Sequence, residues 1–323
     1  MFNSCPPGRK EGKRMAIVVV GNVFVDIKGF PDDIYIPGGR NAGHVEFVHG
    51  GVGRNVAEDI ANLELRPRFV SMVDDTPEGA EVLRKLNNHK VDTRFVPAVP
   101  NGMGMWLVVF DETGDAVASI SKRPDMSAMV EMIEEHGDEI FADCDSIIVE
   151  IDLDKEIIKS IFRFAEKYNK RVYAVVANMS IATQRRDFLQ SIDCFVCNVE
   201  EAGILFVCDL ASLTPEELCE ELSRRVVSAK IPSMVVTVGS KGAVYADMNG
   251  DKGVYPARLV NVRDTTGAGD AFCAGVAVGL TYNKSMRDAV EIGTRLAASV
   301  ITVSENVCPR FLPRELGLDV DVE

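Results

Sequence analysis

The stretch Asp264-Thr-Thr-Gly-Ala-Gly-Asp-Ala-Phe-Cys-Ala-Gly275 brings together the residue types that could handle a phosphoryl group. Gly267, Ala268 and Gly269 precede an apolar run that predicts a helix to about Leu280. Small residues let several backbone N–H groups converge on one point. A helix start adds partial positive charge at that point. Together they make an anion hole for a transferring phosphoryl group. Asp270 falls in the first turn, beside the hole, where a carboxylate can accept a hydroxyl proton. A bare Gly-Ala-Gly-Asp is more often a turn followed by an ordinary dipole-favoured acid. Only a longer pattern lifts it above that.

Two other clusters invite a chemical reading. Gly50-Gly-Val-Gly-Arg-Asn-Val-Ala57 is a tight turn before a helix. It is not a dinucleotide G-x-G-x-x-G, because Val56 stands at the third glycine and the first strand turns at Gly21-Asn-Val-Phe24. Cys194 and Cys197 form a CxxC, two of eight cysteines. A redox or zinc role needs a helix opening at the first cysteine or a second pair of ligands. Ser191–Asn198 reads instead as a strand, which sends residues three apart to opposite faces. Both are expected to be buried thiols.

The elements that must position these residues alternate. Strands are predicted at Met15–Val20, Arg68–Val73, Ser146–Glu150, Val172–Val176, Cys194–Cys197 and Met234–Val238. Helices are predicted at Gly53–Leu63, Pro77–Leu86 with Thr76 as N-cap, Lys155–Tyr168, and Pro215–Ala229 with Thr214 as N-cap. Continuous apolar strands alternating with helices imply an α/β fold, a parallel sheet covered on both faces. Ile34–Val48 and Met105–Ile120 break the rhythm with apolar/polar alternation and turn residues. They are expected to form a small sheet projecting from one main domain, a lid spanning about residues 27–49 and 103–122. Residues 1–14 read as a polar tail before a domain at 15–315.

Composition narrows the class. Hydrophobic residues make up 46% of the 323, enough to bury a core without disulfides or metals. The net charge of −14 argues against nucleic acid or an anionic membrane as the main partner. No apolar run approaches the roughly 20 residues of a membrane helix. The N-terminus lacks the apolar stretch of a secretory signal, so a cytoplasmic location is expected.

The Asp264–Gly275 string resembles the C-terminal signature of the ribokinase-like, phosphofructokinase-B-type carbohydrate kinases. Gly50–Ala57 resembles the same family's N-terminal glycine-rich signature. Asn198-Val-Glu-Glu201 resembles its NxxE, and Thr237-Val-Gly-Ser-Lys-Gly242 its nucleotide-binding turn. The four occur in the family's order within residues 15 to 310. The resemblance implies a Rossmann-like, doubly wound, mostly parallel sheet with a β-sheet lid. It implies an ATP-dependent kinase with Asp270 as base and the backbone of Gly267, Ala268 and Gly269 as anion hole. Asp26, Gly50, Gly51 and Asn55 would bind substrate. Asn198, Glu201, Thr237, Gly239, Gly242 and Asn306 would serve the nucleotide, Glu201 through water on magnesium. Asp264 and Thr266 would shape a loop for a monovalent cation such as potassium. There is no Walker A motif, so the Gly-Ala-Gly turn carries phosphate handling.

Two departures bear on the acceptor. Cys197 stands where many relatives have proline. Phe24 stands where ribokinase-type members often carry a sugar-binding asparagine, which argues against ribokinase proper. Gly43–Ala57 and Arg123-Pro-Asp-Met126 resemble segments of bacterial pseudouridine kinases. That resemblance implies phosphorylation of the 5′-hydroxyl of pseudouridine, with Asp125 holding the base edge. Ribokinase, fructokinase and adenosine-type activities are the alternatives inside the family. A non-catalytic sugar- or nucleoside-binding regulator is the alternative outside it. An exposed apolar lid face would favour a homodimer.

Overall fold

A computed structural model describes residues 15–320, and the expected tail at 1–14 lies outside them. The first strand, β1 (Ile17–Val20), is buried at all four positions, as an interior parallel strand should be. Its neighbours are β4 (Arg68–Val70) and β8 (Ser146–Glu150), both parallel to it. The sheet extends through β5 (Asp92–Phe95) on one side. On the other it runs through β9 (Arg171–Val175), β10 (Cys194–Asn198) and β11 (Ser233–Thr237). The far edge is antiparallel, formed by β12 (Ala243–Asp247) and β13 (Lys252–Tyr255). Among the described residues the order is β13-β12-β11-β10-β9-β8-β1-β4-β5.

Helices cover both faces. Val18, Ile147, Phe195 and Met234 point to a layer containing α3 (Ser127–Phe141), α4 (Lys155–Tyr168), the short α5 (Met179–Ala182), α6 (Val199–Phe206) and α7 (Pro215–Ala229). Val19, Ile148, Tyr173 and Val235 point to α1 (Val52–Ala61), α2 (Pro77–Asn88), α8 (Ala268–Thr281) and α9 (Met286–Val300). Cys194 joins the second layer and Cys197 the first, both buried and free. The strand reading of the CxxC therefore holds. Thr76 and Thr214 cap their helices as the sequence predicts, Thr214 in a reciprocal pair with Glu217.

A second sheet of four strands has the order β3-β2-β6-β7. It comprises β2 (Phe24–Pro31), β3 (Gly43–Gly50), β6 (Gly104–Phe110) and β7 (Ala116–Lys122). The second lid segment lies where its alternation placed it. The first needs correction: residues 32–42 are a loop closed by the Asp32 N–H on the Ala42 carbonyl, and Ile34 and Ile36 are exposed on it. The additional strand is β2, and it carries Asp26. Its Gly29 and terminal Pro31 masked the pattern, because both are unusual inside strands.

Cross-strand register gives this sheet two distinct faces. Phe47, Ile27, Leu107 and Ile120 form one row across all four strands. Val48, Asp26, Trp106 and Ser121 form the next row, on the opposite face. Phe47 and Ile120 are about 70% exposed, at 71% and 70%, while Asp26 is 9% exposed. The Asp26 row is thus the inner face.

Candidate active site

The site forms at the carboxyl ends of the parallel strands, where the chain leaves β1, β8, β10 and β11. This is the crevice where open α/β sheets bind ligands. Two helix starts meet there. Gly51 opens α1 at φ 97°, a left-handed-side value that favours glycine, and a side chain there would strike the Asn22 carbonyl at 2.5 Å. Gly53 lies against Gly21 so closely that a Cβ would come within 2.5 Å of its Cα. The glycine-rich motif therefore seats α1 directly on the end of β1. One helical turn presents Asn55 to α8, where its Nδ2 donates to Asp270 Oδ2 at 2.6 Å.

Asp270 occupies the first turn of α8, behind Gly267 at φ 80°. Burial pushes its carboxyl up to about 7; Asn55 and Arg54 oppose the shift, while Asp26 and Glu201 add to it. A carboxylate poised there suits proton abstraction near neutral pH. Asp26 lies beneath Gly50, where a side chain would overlap its carboxylate at 2.4 Å. Burial raises Asp26 to about 6, against the charges of Lys28 and Arg54. Asp270, Asn55, Asp26, Gly50 and Gly51 are thus brought together.

Two clefts meet at the Gly-Ala-Gly turn. One, of about 140 Å³, is lined by Asp270, Gly269, Asn198, Glu201 and Thr237. The other, of about 410 Å³, is lined by Thr237, Gly239, Gly242, Ala268 and Gly269, with Leu259, Val260, Val262 and Ile301 supplying an apolar wall. Gly269 and Thr237 line both, so a ligand could pass its polar end from the wide cleft to Asp270. A third space of about 600 Å³ lies behind α1, but Glu58, Lys85, His89, Glu64 and Arg310 pair with one another there. The chemistry, not the largest volume, locates the site.

Asn198 and Glu201 form a reciprocal cap at the start of α6: the Glu201 N–H donates to Asn198 Oδ1 and the Asn198 N–H to Glu201 Oε2. Burial raises the Glu201 carboxyl, with the Asn198 N–H opposing. A cation would favour its ionised form, so the position suits a water-bound magnesium ion. Among the described residues no three His, Cys, Asp or Glu side chains converge on one metal. Asp264 Oδ1 accepts from both the N–H and the hydroxyl of Thr266, fixing the turn before Gly267.

These arrangements can be compared with known proteins. Residues 15–307 match the pfkB family carbohydrate kinase profile. The chain belongs to that family. It is 35% identical over 292 residues to a guanosine-inosine kinase from Exiguobacterium acetylicum, covering 90% of this chain and 95% of that one. It is 26% identical to pseudouridine kinase from Escherichia coli, covering 84% and 87%. The fold matches Arabidopsis thaliana ribokinase solved with ribose and ATP, with TM-score 0.77, 20% identity, and coverage of 94% and 98%. Family membership makes the chain a kinase of a sugar or a nucleoside.

Two expected site residues of the kinase make other contacts in the structure. Asp125 is exposed in the loop before α3, and its Oδ1 accepts from the N–H and hydroxyl of Ser127. Like Asp26 and Asn55, it lines neither cleft at the Gly-Ala-Gly turn. Asn306 does not face the apolar cleft either. Its Nδ2 donates to the His49 carbonyl at 2.8 Å, its Oδ1 accepts from Arg54, and its backbone carbonyl lies against Gly267. The amide ties β3 to the C-terminal segment, a support role invisible to a motif.

Three residues that sequence reasoning passed over support the site. Arg54 is 1% exposed and pairs with Glu58 at 2.5 Å, while also donating to the His49 carbonyl. The i,i+4 spacing of Arg54 and Glu58 was the available signal. Glu150, at the end of β8, accepts from the N–H of Asn22. Burial drives Glu150 well above the ordinary carboxylate range, with Asp152 adding to the shift. Trp106, the chain's one tryptophan, sits beside Asp26 on the inner face of the small sheet.

Proposed function

We propose that this kinase transfers the γ-phosphate of ATP to the 5′-hydroxyl of a nucleoside, with guanosine and inosine ahead of pseudouridine. The observation that carries the reading is the pairing of Asp26 with Trp106 on the inner face of the small sheet, opposite the Asn55–Asp270 pair. Asp26 and Asn55 bind the vicinal ribose hydroxyls. This aims the 5′ oxygen at Asp270, which takes its proton as the oxygen attacks phosphorus. Trp106 offers the base an aromatic face, and such stacking contributes about 1–3 kcal/mol per base. Free ribose has no base to use it.

The greater similarity to the guanosine-inosine kinase favours a purine. The exposed Asp125, with one oxygen committed to Ser127, offers little to the extra N–H of pseudouridine. ATP lies with its base in the apolar cleft and its phosphates at Gly267, Ala268 and Gly269. Asn198, Glu201, Thr237, Gly239 and Gly242 flank that path, and Glu201 holds magnesium through water. Asp264 and Thr266 hold the adjoining turn, where potassium dependence is the matching cation test. The small sheet acts as a lid that excludes water from the transferring phosphoryl group. Its outer row of Phe47, Ile27, Leu107 and Ile120 fits a second copy of this chain.

An ATP-consumption panel tests the acceptor. It should contain guanosine, inosine, pseudouridine, uridine, adenosine, ribose and fructose, with and without potassium. The highest kcat/KM is expected for guanosine or inosine. Their binding should also change the fluorescence of Trp106, while ribose should leave it nearly unchanged. A higher kcat/KM for ribose or fructose overturns the nucleoside reading, and one for pseudouridine overturns the purine preference.

A further inference from the structure

Asp26 belongs to one row on the inner face of the small sheet, and the next row out carries charge of both signs. Side chains two apart on a strand share a face, so Lys28 follows Asp26 along β2. Burial agrees: within β2 only Asp26 and Lys28 are buried. Register places Glu46 of β3 opposite Lys28 on one side and Val108 of β6 on the other. The third row is aromatic. Phe30 stacks on His44 with ring centroids 5.1 Å apart, and on Phe110 at 4.9 Å. The inner face therefore runs from Asp26 and Trp106, through Lys28 and Glu46, to a wall of stacked rings.

This spacing gives each row a part of a nucleoside to meet. A strand rises about 3.3 Å per residue, so consecutive rows on one face lie about 7 Å apart. With the ribose hydroxyls on Asp26, that step matches the reach of a purine to its far edge. Trp106 is the diagonal neighbour of Lys28, a separation that aromatic and long side chains span. A base stacked on the indole thus turns its edge to the row of Lys28 and Glu46. That row sets a donor beside an acceptor, since an ammonium group only donates and a carboxylate only accepts. A 6-oxopurine presents the complement: O6 accepts, N1–H donates, and guanine adds a donating 2-amino group. A 6-aminopurine presents the reverse, an amino donor beside the N1 acceptor, so each of its groups would face its like.

We propose that Lys28 and Glu46 are the specificity-determining pair of the acceptor site, reading the O6 and N1–H edge of guanine or hypoxanthine and rejecting adenine. This rests on the nucleoside reading above and names the residues that impose the purine choice. Lys28 donates to O6. Glu46 accepts from N1–H and, in guanosine, from the 2-amino group as well. The His44 ring, 3.8 Å from Glu46 Oε1, borders the carboxylate. The Glu46 side chain is 53% exposed, so a base edge arriving there displaces water. A 6-oxopurine replaces the lost hydrogen bonds, whereas adenine strips the same water and leaves both charges unpaired.

The test measures kcat/KM for guanosine, inosine and adenosine in the native kinase and in Glu46→Gln and Lys28→Met. The native enzyme should favour both 6-oxopurines over adenosine. A glutamine amide can turn to donate to adenine N1. Glu46→Gln should therefore lower the guanosine-to-adenosine ratio by about 10- to 100-fold, the scale of one hydrogen bond to a charged group. Guanosine should lose more than inosine, because only guanine carries the 2-amino group. Lys28→Met should lower guanosine and inosine alike relative to adenosine, and Lys28→Arg should restore part of that ratio. A ratio is the readout because damage to folding or to phosphoryl transfer lowers all three acceptors together. Should Lys28→Met fail to fold, Glu46→Gln at its exposed position carries the test. Unchanged ratios in Glu46→Gln, or a native preference for adenosine, would overturn the proposal and leave the nucleoside reading standing. A panel led by ribose or fructose would overturn both, since no base is then read.

Discussion

The α1–α8 junction and the small sheet hold the two halves of the site in opposite ways. From Gly53 to Ala61 every residue of α1 is buried, whereas every residue of β7 is exposed. Asn55 and Asp270 meet across a helix pair seated on the main sheet, with Arg54 and Glu58 locked beside them. Asp26 and Trp106 stand on a sheet that turns a row of large apolar side chains to solvent. Packing of the first kind fixes geometry to fractions of an ångström, because a close-packed interior deforms little. The second kind permits movement. The half of the site around Asn55 and Asp270 is therefore the more tightly packed, and the half on the small sheet the more loosely held.

The largest effect should come from breaking the rigid half. Asp270→Asn keeps the shape and should lower turnover by about 100- to 10,000-fold, the range for a lost general base. The same variant reads the burial of Asp270. An aspartate raised from 3.8 to about 7 in the fold binds a proton more tightly there than in the unfolded chain. Its contribution to stability is fully present below pH 3.8 and is lost as pH rises through about 7. Thermal melting should show Asp270→Asn gaining on the native protein between those values and holding its advantage above them. The native kcat/KM should fall below pH 7 as the base is protonated. A flat pH profile together with retained turnover would remove Asp270 from the mechanism.

Next come two glycines two residues apart, which should fail differently. A side chain on Gly269 meets nothing within 4 Å and projects into open cleft. Gly269→Val should fold normally yet lose about 3 kcal/mol of transition-state stabilisation as the phosphoryl oxygens are displaced from their donors. A side chain on Gly267 would strike the Asn306 carbonyl at 2.0 Å, at φ 80°. Gly267→Val should therefore lower the melting temperature before its kinetics can be compared. Equal loss of stability in both variants would contradict the open geometry at Gly269.

The smallest effect should come from the outer face of the small sheet. Phe47→Asp combined with Ile120→Asp places charge on the exposed row without touching the inner one. Stability should shift by no more than about 0.5 kcal/mol per site, as for surface substitutions. A native homodimer should become a monomer in sedimentation, and hydrogen exchange in β2 and β6 should still slow on acceptor binding. A native protein that sediments as a monomer would refute pairing through this face, and unchanged exchange with acceptor bound would refute the lid.

Sequence alone determined the parts that rest on local rules. Buried runs such as Ile17–Val20 predicted parallel strands, and Thr76 and Thr214 marked helix starts, because period and capping are properties of a few neighbouring residues. Glycines at 51 and 267 announced turns that other residues adopt only under strain. The same local reading misplaced the first lid strand, since the alternation at Ile34–Val48 runs through a loop while β2 is interrupted by glycine and proline. Tertiary structure decided what depends on contacts across the chain. It joined Asn55 to Asp270 over 215 positions, turned Asn306 inward to Arg54, and left Asp125 at the surface. It also set Asp26 beside Trp106, a placement no local pattern encodes, because register between distant strands chooses which side chains share a face.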